Sequence, residues 1–258
     1  MNFLVGESEN AISLERLRDI LIRLEDTIIF ALIERAQFAH NVVIYKPGMY
    51  KYEGSEEFNG SFLEYFLRES EKVHAKVRRY QSPDEYPFTD DLPNPIIPPL
   101  KYPKILKPND INVNPKILKF YLEHIVPSLC VAGEDLNYGS SATRDVACLQ
   151  ALSQRIHYGK FVAEAKFRDP NLQSKYIEYI KSHNSEAIEK LLTNKKVEES
   201  LLKRLRHKAL IYGQDITESG ILNNTPKINI DVVVELYEKW VIPLTKDVEV
   251  QYLLSRLD

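Results

Sequence analysis

Glycine is scarce, at nine in 258 residues, and none of the nine falls in a GxGxxG or GxxxxGK[ST] pattern, so no phosphate-cradling loop is legible. HExxH, paired CxxC and GxSxG are also absent. His40, His74, His124, His157, His183 and His207 do not fall at metal-ligand spacings, and the expectation is a protein with no metal and no cofactor. Cysteine is limited to Cys130 and Cys148, too few for a disulfide framework and in keeping with a reducing, cytoplasmic compartment. The longest clean apolar run, from Ile28 to Ile33, is far too short to span a bilayer. MNFLVGESEN shows no basic region followed by an apolar core, and so no secretory signal is expected. With a net charge of −3 the chain has no global field to draw nucleic acid or an anionic membrane.

What is present is helical periodicity. Apolar residues at 14, 17, 21, 24, 28 and 32 form a seam that predicts a helix over Ser13 to Phe38, with Ser13 as its N-cap. Further helices are expected over Ser61 to Tyr80 and over Lys116 to Cys130, the latter bent or ended by Pro127. The longest opens after Gly139 to Ser141 and runs unbroken through Phe167. Leu172 to Lys181, Ser185 to Leu192, Lys196 to Tyr212 and Asp231 to Leu257 complete the set, and Gly213 to Asn229 reads as a polar loop. Nine of the fourteen prolines lie between Pro83 and Pro115, which predicts an irregular excursion of about 81–115 that wraps a surface or serves a function. The expected class is all-α, a single-domain multi-helix bundle spanning 1–258.

Several polar groups stand where a solvated helix face does not explain them. Arg155 and Lys166 are eleven residues apart, close to three turns, so they share a stripe with Gly159, Val162 and Ala163. A glycine inside a helix costs about 1 kcal/mol relative to alanine, and usually means that something approaches the backbone closely. Arg18 shares a stripe with Ile22, Glu25 and Ile29, and Glu198 stands four residues after Asn194. On the last helix Thr245 and Glu249 share a face with Val241, Ile242, Tyr252 and Leu253, where a buried glutamate needs a partner or a proton. Three cations, two carboxyls, an amide and a hydroxyl, without a nucleophile–base pair, suit a site that binds a polyanion and holds it in shape. Taken singly, each reads as structural sooner than functional. The basic run Lys203 to Lys208 reads as a solvated face, and Asp90-Asp91, in a proline-rich loop, lacks the second acidic motif of a prenyl-diphosphate site.

The blocks LRDILIRLEDTIIFALIERAQFA, RRYQSPDEYPF, YGSSATRDVACLQALSQRIHYGKFVAEAKF, TNKKVEESLLKRL and VIPLTKDVE resemble the fungal, yeast-type chorismate mutases, in order from about residue 14 to the C-terminus. The resemblance implies an all-helical homodimer that converts chorismate to prephenate in phenylalanine and tyrosine biosynthesis, needing no cofactor. It implies that Arg18 and Arg155 grip carboxylates, Lys166 lies against the ether oxygen and a carboxylate, and Glu198 with Asn194 holds the ring hydroxyl. Thr245 would orient the ligand, and a protonated Glu249 would face the ether oxygen. It implies a second site for tyrosine as inhibitor and tryptophan as activator, built from Arg78 and Arg79 of one subunit and Asn137, Gly139, Ser140 and Thr143 of the other. The rod carrying Arg155 and Lys166 would begin at that effector seat. Two departures bear on regulation: Leu136 stands where the family pattern has a second asparagine, and Asn229 where it has a threonine–proline pair. A catalytically silent helical adaptor and a module that only binds aromatic amino acids are the alternatives that an assay of chorismate consumption separates.

Overall fold

The computed structural model describes residues 12–52, 54, 57–214 and 227–257, so most of the loop expected over 213–229 lies outside the described residues. The described residues form helices and connecting segments, with no strand among them. Helix α1 (Leu14–Ala36) opens on the Ser13 hydroxyl, which accepts from the Arg16 N–H at 3.2 Å. It buries the expected seam through Leu17, Leu24, Ile28 and Leu32. Helix α2 (Phe62–Lys76) begins with a capping box: Glu64 N–H donates to Ser61 Oγ, and Ser61 N–H donates to Glu64. It ends four residues earlier than its periodicity predicts. Arg78 adopts a left-handed backbone, φ 70°, and turns the chain into a 3₁₀ turn over Arg79–Gln81. Arg78 and Arg79 therefore stand beyond the helix and not on its last turn.

Pro127 and Pro243 each sit inside a helix without ending it. The run α3 (Asn114–Phe120), a π segment (Tyr121–Ile125) and α4 (Val126–Leu129) is continuous, as are α10 (Ile230–Leu236), a π segment (Tyr237–Val241) and α11 (Ile242–Leu254). A proline ring clashes with the carbonyl four residues back and offers no N–H. In both runs that carbonyl, of Glu123 or Lys239, lies in the π segment, whose wider turn makes the room.

The longest expected helix is instead two. Helix α5 (Tyr138–His157) and α6 (Gly159–Phe167) are separated by Tyr158 alone, whose backbone stays right-handed at φ −57°, ψ −17°. The Phe161 and Val162 N–H groups both donate to the Tyr158 carbonyl, a local tightening that periodicity does not register. Helices α7 (Gln173–Lys181), α8 (Ser185–Leu192) and α9 (Lys195–Tyr212) follow close to expectation.

The main core joins α1, α2, α3, α5, α9 and α10 through fully buried residues such as Ile29, Leu32, Ile117, Leu149, Leu152 and Leu205. Each such side chain contributes about 1.5–3 kcal/mol relative to exposure. A second cluster sets Leu17, Ile20 and Leu24 of α1 against Tyr158 and Phe161, and a third joins α6, α7, α8 and α11. From Ser82 to Val113 the chain has neither helix nor strand, as its prolines predict. Side chains of the helices satisfy its backbone in place of a sheet. Glu71 of α2 accepts from the Phe88 and Thr89 N–H groups, His157 accepts from Val113 N–H at 3.0 Å, and Lys160 donates to the Ile111 carbonyl at 2.5 Å. Burial pushes the His157 imidazole down to about 3, which keeps it neutral and able to accept.

Candidate active site

Helices α1, α5, α6, α9 and α11 enclose a cavity of about 650 Å³, a size ordinary for small-molecule sites. All seven residues singled out for substrate line it: Arg18, Arg155, Lys166, Asn194, Glu198, Thr245 and Glu249. Its apolar wall includes Leu17, Leu21, Ile22, Val162 and Ile242.

Gly159 explains how these helices come so close. A Cβ there would lie 2.8 Å from the Thr245 carbonyl, 3.2 Å from the Thr245 methyl and 3.3 Å from Glu249 Cγ. Gly159 opens α6 and is not interior to one long helix as its sequence suggests, but the close backbone approach expected there is made, by α11, which is thereby seated against α6. That contact sets Thr245 and Glu249 beside the stripe carrying Arg155 and Lys166.

Arg155 is buried, with Nη1 3.5 Å from Thr245 Oγ1 and its guanidinium 5.9 Å above the Tyr237 ring. Its Nε–H has no hydrogen-bond partner. Lys166 donates to the Leu192 carbonyl at 2.8 Å and to Glu249 Oε2 at 3.2 Å. Burial pushes the Glu249 carboxyl above its ordinary range, although Lys166, Arg155 and Lys246 all pull it down. Thr245 donates to the Val241 carbonyl at 2.6 Å, which fixes its hydroxyl with a lone pair toward Arg155. Asn194 caps α9, its side-chain oxygen accepting from Val197 N–H at 3.2 Å, and its amide N–H groups remain for other use. Glu198, in the first turn of α9, pairs with Lys246 at 2.8 Å. Arg18 stands on the α1 face that lines the cavity, below Glu25, which Arg204 of α9 holds through two hydrogen bonds at 2.9 and 2.7 Å.

Sequence reading missed Lys246, Glu25 and Arg204 as members of this cavity. Glu25 lay on the Arg18 stripe, which was a usable signal. Lys246 and Arg204 carried none, since lysine and arginine on an amphipathic helix ordinarily face water.

The six residues expected at a second site are not joined within one chain. Arg79 pairs with Glu85 at 3.1 Å and donates to Gln150 at 2.8 Å, and Arg78 donates to the Pro98 carbonyl. Asn137, Gly139, Ser140 and Thr143 are exposed at the start of α5, where Thr143 donates to the Gly139 carbonyl at 2.8 Å. Leu136 just before them is exposed and left-handed at φ 66°, a conformation that asparagine adopts with less strain than leucine.

A helical fold whose cavity gathers cations, a buried acid, an amide and a hydroxyl defines an enzyme-like site for a small polyanion. The chorismate mutase type II family matches residues 137–250. The chain is 49% identical over 248 residues to the chorismate mutase of Schizosaccharomyces pombe, covering 95% of this chain and 97% of that one. Its structure is similar to Aro7p chorismate mutase from Candida albicans in complex with L-Trp, with a TM-score of 0.92, 44% identity and 100% and 95% of the two chains covered. It is also similar to AtCM1 with tyrosine bound in the allosteric site, with a TM-score of 0.84, 47% identity and 98% and 99% covered. The chain belongs to the chorismate mutase family, isomerases that rearrange chorismate to prephenate. No helix among the described residues is long and apolar enough to cross a membrane.

Proposed function

We propose that the seven cavity residues carry the rearrangement. Chorismate has two carboxylates, an ether oxygen and a ring hydroxyl, and its [3,3] shift needs no covalent help from the enzyme. What accelerates it is confinement in a compact conformer and stabilisation of charge growing on the ether oxygen as the C–O bond breaks. Arg18 and Arg155 bind the carboxylates, for which a planar guanidinium is suited. Lys166 meets the ether oxygen and a carboxylate, and Glu198 with Asn194 takes the ring hydroxyl. Thr245 orients the substrate beside Arg155. Glu249 donates to the ether oxygen from the side opposite Lys166, which requires its proton.

The observation that carries this reading is the pairing of a buried Glu249, its carboxyl pushed up by desolvation, with Lys166 3.2 Å away in the same cavity. Activity is greatest where Glu249 is protonated and falls as pH rises through its elevated pKa, about tenfold per unit once the carboxylate dominates. A pH–rate profile on chorismate tests it: Glu249→Gln, whose amide donates at every pH, is expected to flatten the alkaline fall. Profiles that overlay would remove Glu249 from the chemistry.

We also propose that tyrosine inhibits and tryptophan activates at a site where Arg78 and Arg79 of one protomer meet Asn137, Gly139, Ser140 and Thr143 of another in a homodimer. The exposed N-terminus of α5, with its unpaired N–H groups, suits an amino acid's carboxylate. The ligands carried by the Candida and AtCM1 structures support it. Because α1 and α11 both wall the cavity, we take 1–258 to act as one catalytic unit, and the two free, buried cysteines fit residence in the cytoplasm.

A further inference from the structure

Lys246 has no part in the mechanism above, yet it lines the same cavity. Its ammonium lies 2.8 Å from Glu198 Oε1, so the side chain reaches from α11 to the first turn of α9. The two side chains are 22% and 27% exposed, shielded more than a surface pair and still open to a ligand in the cavity. Such an ion pair occupies one carboxylate oxygen and sets the plane of the other, which an unpaired glutamate on the first turn of a helix would leave free to rotate.

We propose that Lys246 is a positioning residue for the reaction: its ammonium holds one Glu198 oxygen so that the other is aimed to accept the substrate's ring hydroxyl. The inference deepens the proposed function and rests on its reading of Glu198. Lys246 also stands three residues before Glu249 on α11. The groups that face Glu249 are Lys166 on α6, Arg155 on α5, Tyr176 on α7 and Lys246 on α11 itself. Removing the Lys246 charge therefore has a second consequence. One of three cations that favour the Glu249 carboxylate is lost, so the acid keeps its proton to higher pH.

The test is steady-state chorismate consumption across pH for wild type, Lys246→Met, Lys246→Arg, Glu198→Gln and the double variant Glu198→Gln/Lys246→Met, with thermal melts alongside. Lys246→Met is expected to raise KM by about tenfold, the scale of a hydrogen bond to a charged group. Its alkaline limb is expected to move to higher pH. Lys246→Arg should restore both, and the KM of the double variant should be no worse than that of Glu198→Gln alone, since Lys246 acts on KM through Glu198. Lys246→Gln serves the same purpose where the methionine variant melts early. An unchanged KM and alkaline limb in the methionine or glutamine variant, or fully additive losses in the double variant, would overturn the role of Lys246 while leaving the reaction intact. Absence of chorismate consumption by the wild type would sink the mechanism and this inference together.

Discussion

Arg35 and Arg155 make an instructive pair. Both are buried, one on α1 and the other on α5, helices that pack along each other. Arg35 is closed. Its Nε donates to Asp145 at 2.6 Å, Nη1 to the Phe38 and Ala39 carbonyls at 3.1 Å each, and Nη2 to the His40 carbonyl at 3.2 Å and the Tyr45 hydroxyl at 2.9 Å. Asp145 in turn accepts from Tyr45 and Tyr121, each at 2.8 Å. Burial opposes the Arg35 charge, but Asp145 and Tyr45 outweigh it and hold the guanidinium's pKa above its usual value. Arg155 is open, with one contact at 3.5 Å, an aromatic face and an unpartnered Nε–H. A guanidinium has five N–H donors, and a desolvated one left unsatisfied is costly. The satisfied arginine holds the fold, while the open one keeps donors free for the carboxylate proposed to bind it. Burial alone does not separate the two roles.

The contrast is most severely tested by Asp145→Ala. It strands the Arg35 charge and is expected to cost about 3–5 kcal/mol of stability in urea unfolding, with KM for chorismate unmoved in the folded fraction. Arg155→Ala is expected to do the opposite: kcat/KM falls by about 10³-fold while the melting temperature holds. A large stability loss with unchanged kinetics would make Arg155 a second Arg35. A smaller effect is expected from Gly159→Ala, whose Cβ must displace the Thr245 carbonyl. It should destabilise by about 1–3 kcal/mol, with a rise in KM as Thr245 and Glu249 move off the cavity. Full wild-type kinetics would show that α11 tolerates the shift.

Periodicity located most helices to within a few residues, because an apolar seam at 3.6 spacing leaves few other ways to bury it. It failed where the departure from helix is local and tertiary. Tyr158 splits α5 from α6 beside Gly159, which by itself does not fix where a helix divides, and α2 stops at Lys76 although nothing in Val77 or Arg78 forbids another turn. The π segments before Pro127 and Pro243 are likewise responses to a proline that the surrounding core holds inside a helix. At the site, Arg18, Arg155, Lys166 and Glu249 stood out as charges on apolar stripes. Arg204 and Lys246 did not, since what sets them apart is the helix opposite.

The sequence by itself determined that this chain is helical, where its irregular excursion runs, and which charges share a stripe with apolar residues, since each follows from spacing along one element. Only the tertiary structure decided that these charges share one cavity, that α11 is the partner of Gly159, and that Lys246 rests on Glu198. Those facts depend on distances between residues far apart in the chain, and such distances arise only when helices pack.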